Sequence, residues 1–396
     1  MNNCRDARTV WSGRTNSNAL AGRSHQCGAD PGGRLGFALG TVLGLGVLST
    51  LAGAPAWADD GVPPVTVGAG VRASFDVDSP DAGKDTDDFN LDSIRLYVNG
   101  AVTSNIKFTF DTEYQGSPEA GAPGNTNSVA VLDAIARFEF SDELNIWAGR
   151  FLPPTDRANL YGPYYANQWQ VYNDGVQDGY PSEATGRDNG VAYWGQFGML
   201  KVSAGAFDVP STLGTDNVVW AERLQLDLWD PEPGYYLNGT YYGDKDILAI
   251  GVAGQQEARD YAYTGDFLLE KKLPYGGVIS VEAEAAKYYK FGGYELNPDG
   301  TTPVSGGAYG LVSYLFPQQV GIGKIELLGK YAHAAYDFDN LIGGGVGQKT
   351  YDFEVGYIIK EFNARVALYY TDIKYDQDIN GLVDHKLYGL GVQLQM

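Results

Sequence analysis

The sequence predicts an all-β protein: a transmembrane antiparallel β-barrel of about 16 strands, with long loops at one end and short turns at the other. Three observations predict it. Segments of about ten residues alternate apolar and polar side chains, their connections are alternately short and long, and their polar faces carry many charges. Alternation with a period of two indicates strands whose two faces meet different environments.

Residues 1–58 predict an export signal with an over-long polar leader. Five arginines lie between residues 5 and 34, an uncharged run covers 35–53, and the small-x-small site Ala56-Trp57-Ala58 follows. Such an order is typical of a cleaved export signal. An apolar run of this length could also span a bilayer as a helix. Its glycines and the A-x-A site favour cleavage near Ala58.

The composition of the remaining chain excludes some classes of partner. Both cysteines, Cys4 and Cys27, lie in the leader, so the exported chain cannot rely on disulfides. The leader also contains five arginines and two acids, which leaves 23 basic and 47 acidic residues and a formal charge of −24. Nucleic acid is therefore not an expected partner.

The strand pattern begins at Val65 and is clearest in residues 105–114, NIKFTFDTEY. Ile106 and Phe110 share one face there, while Lys107 and Asp111 share the other. The same alternation recurs in segments along the rest of the chain: 64–77, 91–102, 128–140, 199–209, 278–286, 324–332, 349–360, 364–372 and 387–396.

The connections between these segments predict which ends lie together. Short ones fall at 103–105, 141–143, 197–199, 273–277, 317–321 and 361–363. Longer ones, rich in acids and glycine, fall at about 78–89, 115–127, 152–187, 208–217, 291–306, 338–348 and 375–383. Long loops outside and short periplasmic turns are the pattern of an outer-membrane barrel.

An even strand number follows if the barrel is closed and both termini lie in the periplasm. Reading 217–229, 246–256 and 261–272 as strands makes 230–245 an extended periplasmic connection and gives sixteen strands. Eighteen strands result if 234–243 forms a hairpin of its own.

The apolar face is predicted to meet lipid. In 349–360, Phe353 and Val355 lie opposite Asp352 and Glu354, and such charged faces do not suit a soluble core. Tyrosines stand at many strand ends, as in the aromatic girdles of membrane barrels. The chain also ends inside an alternating strand, although Met396 replaces the usual terminal aromatic residue.

Short blocks of the sequence resemble the phosphate-selective porin O and P family. They include AGRF (148–151), RDNGVAYWG (187–195) and the order of segments from Asp87 to Tyr114. The resemblance implies a sixteen-stranded outer-membrane barrel, usually trimeric, with a long loop folded into the lumen. In this chain that loop is 152–187.

The predicted site is the wall of the pore and the loop that narrows it. Strand parity gives as pore-lining residues Arg72, Arg95, Lys107, Asp111, Glu113, Asp133, Arg137, Glu139, Arg223, Asp227, Glu282, Glu284, Glu326 and Lys330. The constriction-loop residues are Asp156, Arg157, Tyr161, Trp169, Asp174, Asp178 and Arg187. The alternative is that the wall charges only hydrate the lumen and that the loop packs on a neighbouring subunit or over the rim. Arg150 stays ambiguous, because either it or Trp147 can face the lumen.

The function predicted is passive diffusion of small hydrophilic solutes and ions through an outer-membrane porin, with lipid and a homotrimer as partners. No catalytic, metal-binding or cofactor fingerprint occurs, so neither an enzyme nor a cofactor is expected. The alternatives are a structural or adhesive surface barrel with a plugged lumen and a secreted soluble β-protein. Acids outnumber bases among the lumen residues, which predicts weak cation selectivity or none and no high-affinity phosphate site.

Overall fold

The computed structural model describes residues 65–115, 128–176, 186–209, 217–291, 304–337, 345–377 and 382–396. The predicted export signal, residues 1–58, lies outside the described residues. Sixteen strands are described and are numbered β1 to β16 in chain order: Val65–Pro80, Thr86–Ala101, Ile106–Gln115, Ser128–Glu139, Asn145–Phe151, Asp188–Phe197, Leu200–Val209, Asn217–Asp227, Ile247–Glu257, Asp260–Lys272, Val278–Tyr289, Val304–Val320, Gly323–Asp337, Gly345–Lys360, Ala364–Tyr375 and His385–Gln395.

The sixteen strands form one closed antiparallel barrel. Each strand pairs with its neighbours in the chain, and β1 closes the sheet by pairing with β16, where Val71 lies opposite Leu394. Closure leaves no strand edge with unpaired backbone groups. The predicted fold class and the strand number of sixteen are confirmed.

Alternation in the sequence becomes inside and outside in the barrel. In β8, Arg223 and Gln225 point inward and are buried, while Trp220 and Leu224 point outward and are 65% and 49% exposed. Large apolar side chains are exposed in the same way around the wall, including Phe353 and Leu368 at 58% each. The interior is therefore polar and the exterior apolar, as expected for a barrel in lipid.

The two ends of the barrel differ as predicted, with one correction. We call the end with the longer connections the loop end and the other the turn end. The predicted loop 78–89 is wrong in extent, because β1 and β2 continue pairing to Asp78 and Thr86 and leave only 81–85 between the strands. Acidic residues suggested a loop. A strand pair that extends beyond the membrane into water can, however, carry acids on both faces.

Residues 230–245, which we call the return segment, form no strand but enter the lumen from the turn end. Tyr235 and Leu237 are buried there, and Glu232 is only 1% exposed. The prediction of a non-strand connection is therefore correct, but its extended periplasmic course is wrong. Its aromatic and apolar side chains pack against other side chains inside the barrel, whereas in an extended periplasmic segment they would face water.

The outward face yields a test of its lipid contact. We expect Leu368→Arg, in the middle of β15, to lower the free energy of unfolding in lipid vesicles by about 2–4 kcal/mol, because a charge at the bilayer midplane is costly. Denaturant titration measures this. Tyr275→Arg, at an exposed turn, is the matched control and should cost about 1 kcal/mol or less. Equal, small losses for both variants would contradict lipid contact at Leu368.

Candidate functional site: the lumen and its inner loop

The described part of the long connection after β5, residues 152–176, folds into the barrel; we call it the inner loop. It starts with the short helix α1, Arg157–Tyr165, capped by Asp156, whose carboxylate accepts a 2.8 Å bond from the Asn159 backbone N–H. Gly162 has a φ of 60° and is followed by Pro163, so the helix is broken at that point. The inner loop thus crosses the lumen as a bent chain.

On one side the inner loop binds strands β8 to β11. The Arg223 guanidinium donates to the carbonyl of Thr155 at 3.0 Å, and Gln255 donates to the carbonyl of Pro154 at 3.0 Å. The Tyr161 hydroxyl donates to Glu282 at 2.8 Å. Wall side chains therefore satisfy loop backbone groups that water would otherwise bind.

On the other side the inner loop binds strands β12 to β16 and β1. Arg365 of β15 donates to the carbonyls of Ala166 at 2.7 Å and Asn167 at 3.1 Å. The backbone N–H of Trp169 donates to Glu354 of β14 at 2.7 Å. The Lys330 ammonium pairs with Asp174, and both side chains are fully buried.

Two wall glycines make room for the aromatic residues of the loop. A Cβ built on Gly391 would lie 2.3 Å from the Trp169 ring, and one built on Gly70 would lie 2.7 Å from the Tyr164 ring. Both positions face inward on adjacent strands, β16 and β1. Any larger side chain there would displace the loop.

A buried ion pair joins the inner loop to the return segment. The Arg157 guanidinium contacts Glu232 through two bonds of 2.9 and 2.5 Å, and Asp266 of β10 lies 3.7 Å away. Both partners are essentially inaccessible to water. Such a pair has little net value over apolar residues, but removing one partner leaves an uncompensated buried charge.

The Arg157–Glu232 pair has a defined dependence on pH. Burial acts to raise the pKa of Glu232, but the adjacent Arg157 guanidinium outweighs it and holds that pKa below its ordinary value. The stabilisation is therefore complete above the unfolded value, about 4.3. It is lost as the pH falls through the lower folded pKa.

Further contacts hold the two inward segments together. The Tyr235 hydroxyl donates to the carbonyl of Leu152 at 2.7 Å, and the Gly239 N–H donates to the carbonyl of Tyr165 at 2.8 Å. The Tyr235 ring also lies 4.8 Å from the ring of Trp147, centroid to centroid. The inner loop, which enters from the loop end, and the return segment, which enters from the turn end, therefore pack together as one unit.

Most of the inward side chains that stay partly accessible lie on β2 to β4. Tyr97, Asp111 and Arg137 are half-buried, and Tyr165 of the inner loop is 37% exposed. By contrast, Glu282 of β11 is 0% exposed beneath the loop. The accessible part of the lumen therefore runs along the β2–β4 wall.

Charges along this wall are mostly paired. Arg95 pairs with Glu113, Arg137 with Glu139, and Arg187, which directly precedes β6, with Asp133. Lys107 also contacts Glu139, at 2.8 Å. Asp111 lies opposite Asp133 in the β3–β4 register, and one of its buried oxygens has no hydrogen-bond partner in the described structure. The four bases and four acids on this wall therefore balance in number, because Lys107 and Arg137 share Glu139 and Asp111 has no ion-pair partner among the described residues.

The residues predicted from the sequence fall into two groups in the structure. All fourteen predicted pore-lining residues face inward. The inner loop and the return segment cover seven of them, one on β1 and six on β8–β13: Arg72, Arg223, Asp227, Glu282, Glu284, Glu326 and Lys330. Of the constriction-loop residues, Asp178 lies outside the described residues. Trp147 faces the lumen, whereas Arg150 lies on the opposite face of β5.

The predicted pore-lining residues omit several that hold the loop, although the sequence already placed Asp352 and Glu354 on the charged face of their strand. Arg365, Asp352 and Glu354 sit at inward positions, so strand parity was sufficient to find them. Glu232 lies in a segment with poor alternation, and the pattern gives no indication of its position. Among the described residues, no group of three or more His, Cys, Asp or Glu side chains is placed to hold a metal ion.

One family model matches part of the chain. Residues 65–162, which cover β1 to β5 and the start of the inner loop, match the model described as phosphate-selective porin O and P. The resemblance predicted from short sequence blocks is thereby confirmed over this range. Among curated proteins, no sequence matches this chain.

Solved structures share the barrel. OmpF of Salmonella typhi, in complex with daunomycin, is similar with a TM-score of 0.58 at 12% identity, covering 83% of this chain and 97% of that one. The anion-selective porin from Comamonas acidovorans has a TM-score of 0.53 at 14% identity, with 84% and 99% covered. OmpT of Vibrio cholerae, in its trimer form, has 0.50 at 11%, with 84% and 100% covered. At these identities the similarity shows the fold alone.

The contribution of the Arg157–Glu232 ion pair to stability can be tested by removing one of its partners. We expect Arg157→Met to lower the free energy of unfolding by about 3–5 kcal/mol, because Glu232 stays buried without its partner. The double variant Arg157→Met/Glu232→Leu should recover most of this loss. Denaturant unfolding in vesicles measures both.

Arg137→Met is the control for that experiment, because its pair with Glu139 is partly exposed. This variant should cost about 1 kcal/mol or less. A double variant as unstable as Arg157→Met would mean that the loss comes from packing around Arg157 and not from the orphaned carboxylate.

Proposed function

We propose that this protein is a porin that allows small hydrophilic solutes and ions to diffuse passively across a bacterial outer membrane. The observation that supports the proposal best is the closed sixteen-stranded barrel with an apolar exterior and a charged interior. Such a barrel suits lipid on the outside and water within. The family match over residues 65–162 and the similarity to porin structures agree with it.

The proposed route runs along the β2–β4 wall, between Tyr97 and Asp111 on the wall and Tyr165 on the inner loop. Most of the inward side chains that remain accessible are found along this wall. The inner loop would then be the constriction, because it occupies the space in front of β8–β16. Rings and paired charges lining a narrow passage set its size limit and ion preference.

The location and assembly extend the same proposal. Cleavage near Ala58 would release the exported chain, and the loop end would face outward, as in other barrels of this class. A homotrimer is supported by the similarity to OmpT in its trimer form. Outer-membrane lipid would surround the remaining wall.

The paired wall supports weak cation selectivity or none. Arg95, Arg137 and Arg187 each have a carboxylate partner, whereas Asp111 adds a carboxylate oxygen with no hydrogen-bond partner among the described residues. Phosphate binding needs several cations free to donate hydrogen bonds to one anion. The pairing of these arginines disfavours that, whatever the preference of structurally similar porins.

One observation favours a second function, a structural surface barrel with a plugged lumen. The inner loop bonds to both sides of the wall, and the return segment enters from the opposite end. Together they cover a large part of the bore. Planar-bilayer recording of the purified protein separates the two functions: uniform conductance steps support the porin, and their absence supports the plug.

The inner loop can be tested as the constriction. We expect replacement of residues 165–180 by a short Gly-Ser linker to raise single-channel conductance about twofold or more, because the open cross-section widens. The same linker in place of residues 338–344, between β13 and β14, is the control and should leave the step size unchanged. A correctly folded 165–180 variant with wild-type conductance would exclude the loop as the constriction.

Ion preference is measured by the reversal potential in a KCl gradient. We expect the wild-type ratio of K⁺ to Cl⁻ permeability to lie between about one and about ten, and Asp111→Asn to lower it. Asp142→Asn, in an exposed turn, should leave the ratio unchanged. A strongly anion-selective wild type, or current block by micromolar phosphate, would show that the arginines dominate.

A further inference from the structure

The charges on the accessible β2–β4 wall balance in number but not in position. Near the middle of β3, Asp111 lies directly opposite Asp133 of β4. The one cation paired with either carboxylate in the described structure is Arg187, 3.2 Å from Asp133. We call this place the acidic level. It carries one negative charge more than it has positive charges.

Towards the turn end the imbalance has the opposite sign. Lys107 lies directly opposite Arg137, and both cations contact the single carboxylate of Glu139 at 2.8 Å. The side chains of Lys107 and Arg137 are 36% and 22% exposed. The next acids along the chain, Asp142 and Glu143, lie on the exposed turn after β4, where salt in bulk water screens them. This place, the basic level, therefore carries one positive charge in excess.

Between the two levels the wall is polar but uncharged. Asn99 and Thr109 lie opposite each other on β2 and β3, both half-buried, and the Thr109 hydroxyl donates to the Asn99 side-chain oxygen at 2.7 Å. An amide and a hydroxyl can bond to the peptide groups of a solute without adding charge.

The charge pattern does not serve the stability of the sheet. Both levels place like charges directly opposite each other, Asp111 with Asp133 and Lys107 with Arg137. Such pairs destabilise neighbouring strands. A solute in the lumen, which can neutralise the excess charge at each level, explains the pattern better than the wall itself does.

The spacing of the two levels matches the length of a short peptide. Asp111 and Lys107 lie four positions apart on β3. At roughly 3.4 Å per residue, this is a distance of about 14 Å along the strand. An extended peptide of four residues spans about the same length. A free amino acid carries its two charges too close together to reach both levels.

We propose that the β2–β4 wall selects short zwitterionic peptides, with the peptide ammonium group at Asp111 and the peptide carboxylate at Lys107 and Arg137. The proposal rests on the diffusion function proposed above and adds a class of solute to it. A solute with a single charge is attracted at one level and repelled at the other. An extended peptide in the stated orientation is attracted at both.

The test measures the peptide concentration that halves the KCl current through single channels in a planar bilayer. The probes are tetraalanine with free ends, tetraalanine acetylated at its N-terminus and tetraalanine amidated at its C-terminus, so that each cap removes one charge. We expect the half-blocking concentration of the free peptide to be lower than that of either capped peptide by about threefold or more, because each cap removes one attraction.

Two variants assign the two ends of the peptide. In Asp111→Asn the acetyl cap should no longer change the half-blocking concentration, while the amide cap still raises it. In Lys107→Gln the two caps should exchange these effects. Asp142→Asn and Lys324→Gln, at exposed positions of the turn end, are the matched controls and should respond to all three probes as the wild type does.

The result that would overturn the peptide site alone is an equal half-blocking concentration for the three probes in channels with normal KCl steps. Strongest block by the amidated peptide would also overturn it, in favour of a simple cation site, and strongest block by the acetylated peptide would do so in favour of an anion site. Absence of any KCl steps would contradict the diffusion function, and the peptide site with it.

Discussion

Backbone hydrogen bonding in a medium without water is the constraint on which the whole structure depends. Inside a bilayer every strand needs a partner on each side, and pairing of β1 with β16 supplies the last one. Closure forces successive side chains to alternate between lipid and lumen. The apolar exterior and the charged interior both follow from that one geometric condition.

A bore of sixteen strands is too wide to be filled by its own side chains, so its interior depends on added chain. The inner loop supplies it from one end and the return segment from the other, and Arg157 and Glu232 join the two. Polar loops can lie at membrane depth because Arg365, Glu354 and Gln255 bind their backbone groups. The wall charges thus position the loop as much as they hydrate the lumen.

The wall could be predicted from the sequence because its rule is local. Alternation placed Arg72, Glu282 and Lys330 inside, and the even-number rule removed 230–245 from the strands. The course of the two inward segments could not be predicted, since contacts such as Tyr161–Glu282 join residues 121 positions apart. The acids near Asp78 suggested a loop because composition cannot distinguish a loop from a strand pair that projects into water.

The position of the inner loop also sets an order of assembly. Residues near the middle of the chain bond to β15 and β16, the last strands to be made, as in Arg365 to Ala166 and Gln393 to Tyr164. These contacts can form only when the last strands are in place, so the loop becomes fixed late, as β1 and β16 close the sheet. Gly70 and Gly391, which pack against the rings of Tyr164 and Trp169, lie on β1 and β16, the strand pair that closes the barrel. A misplaced loop would therefore obstruct closure.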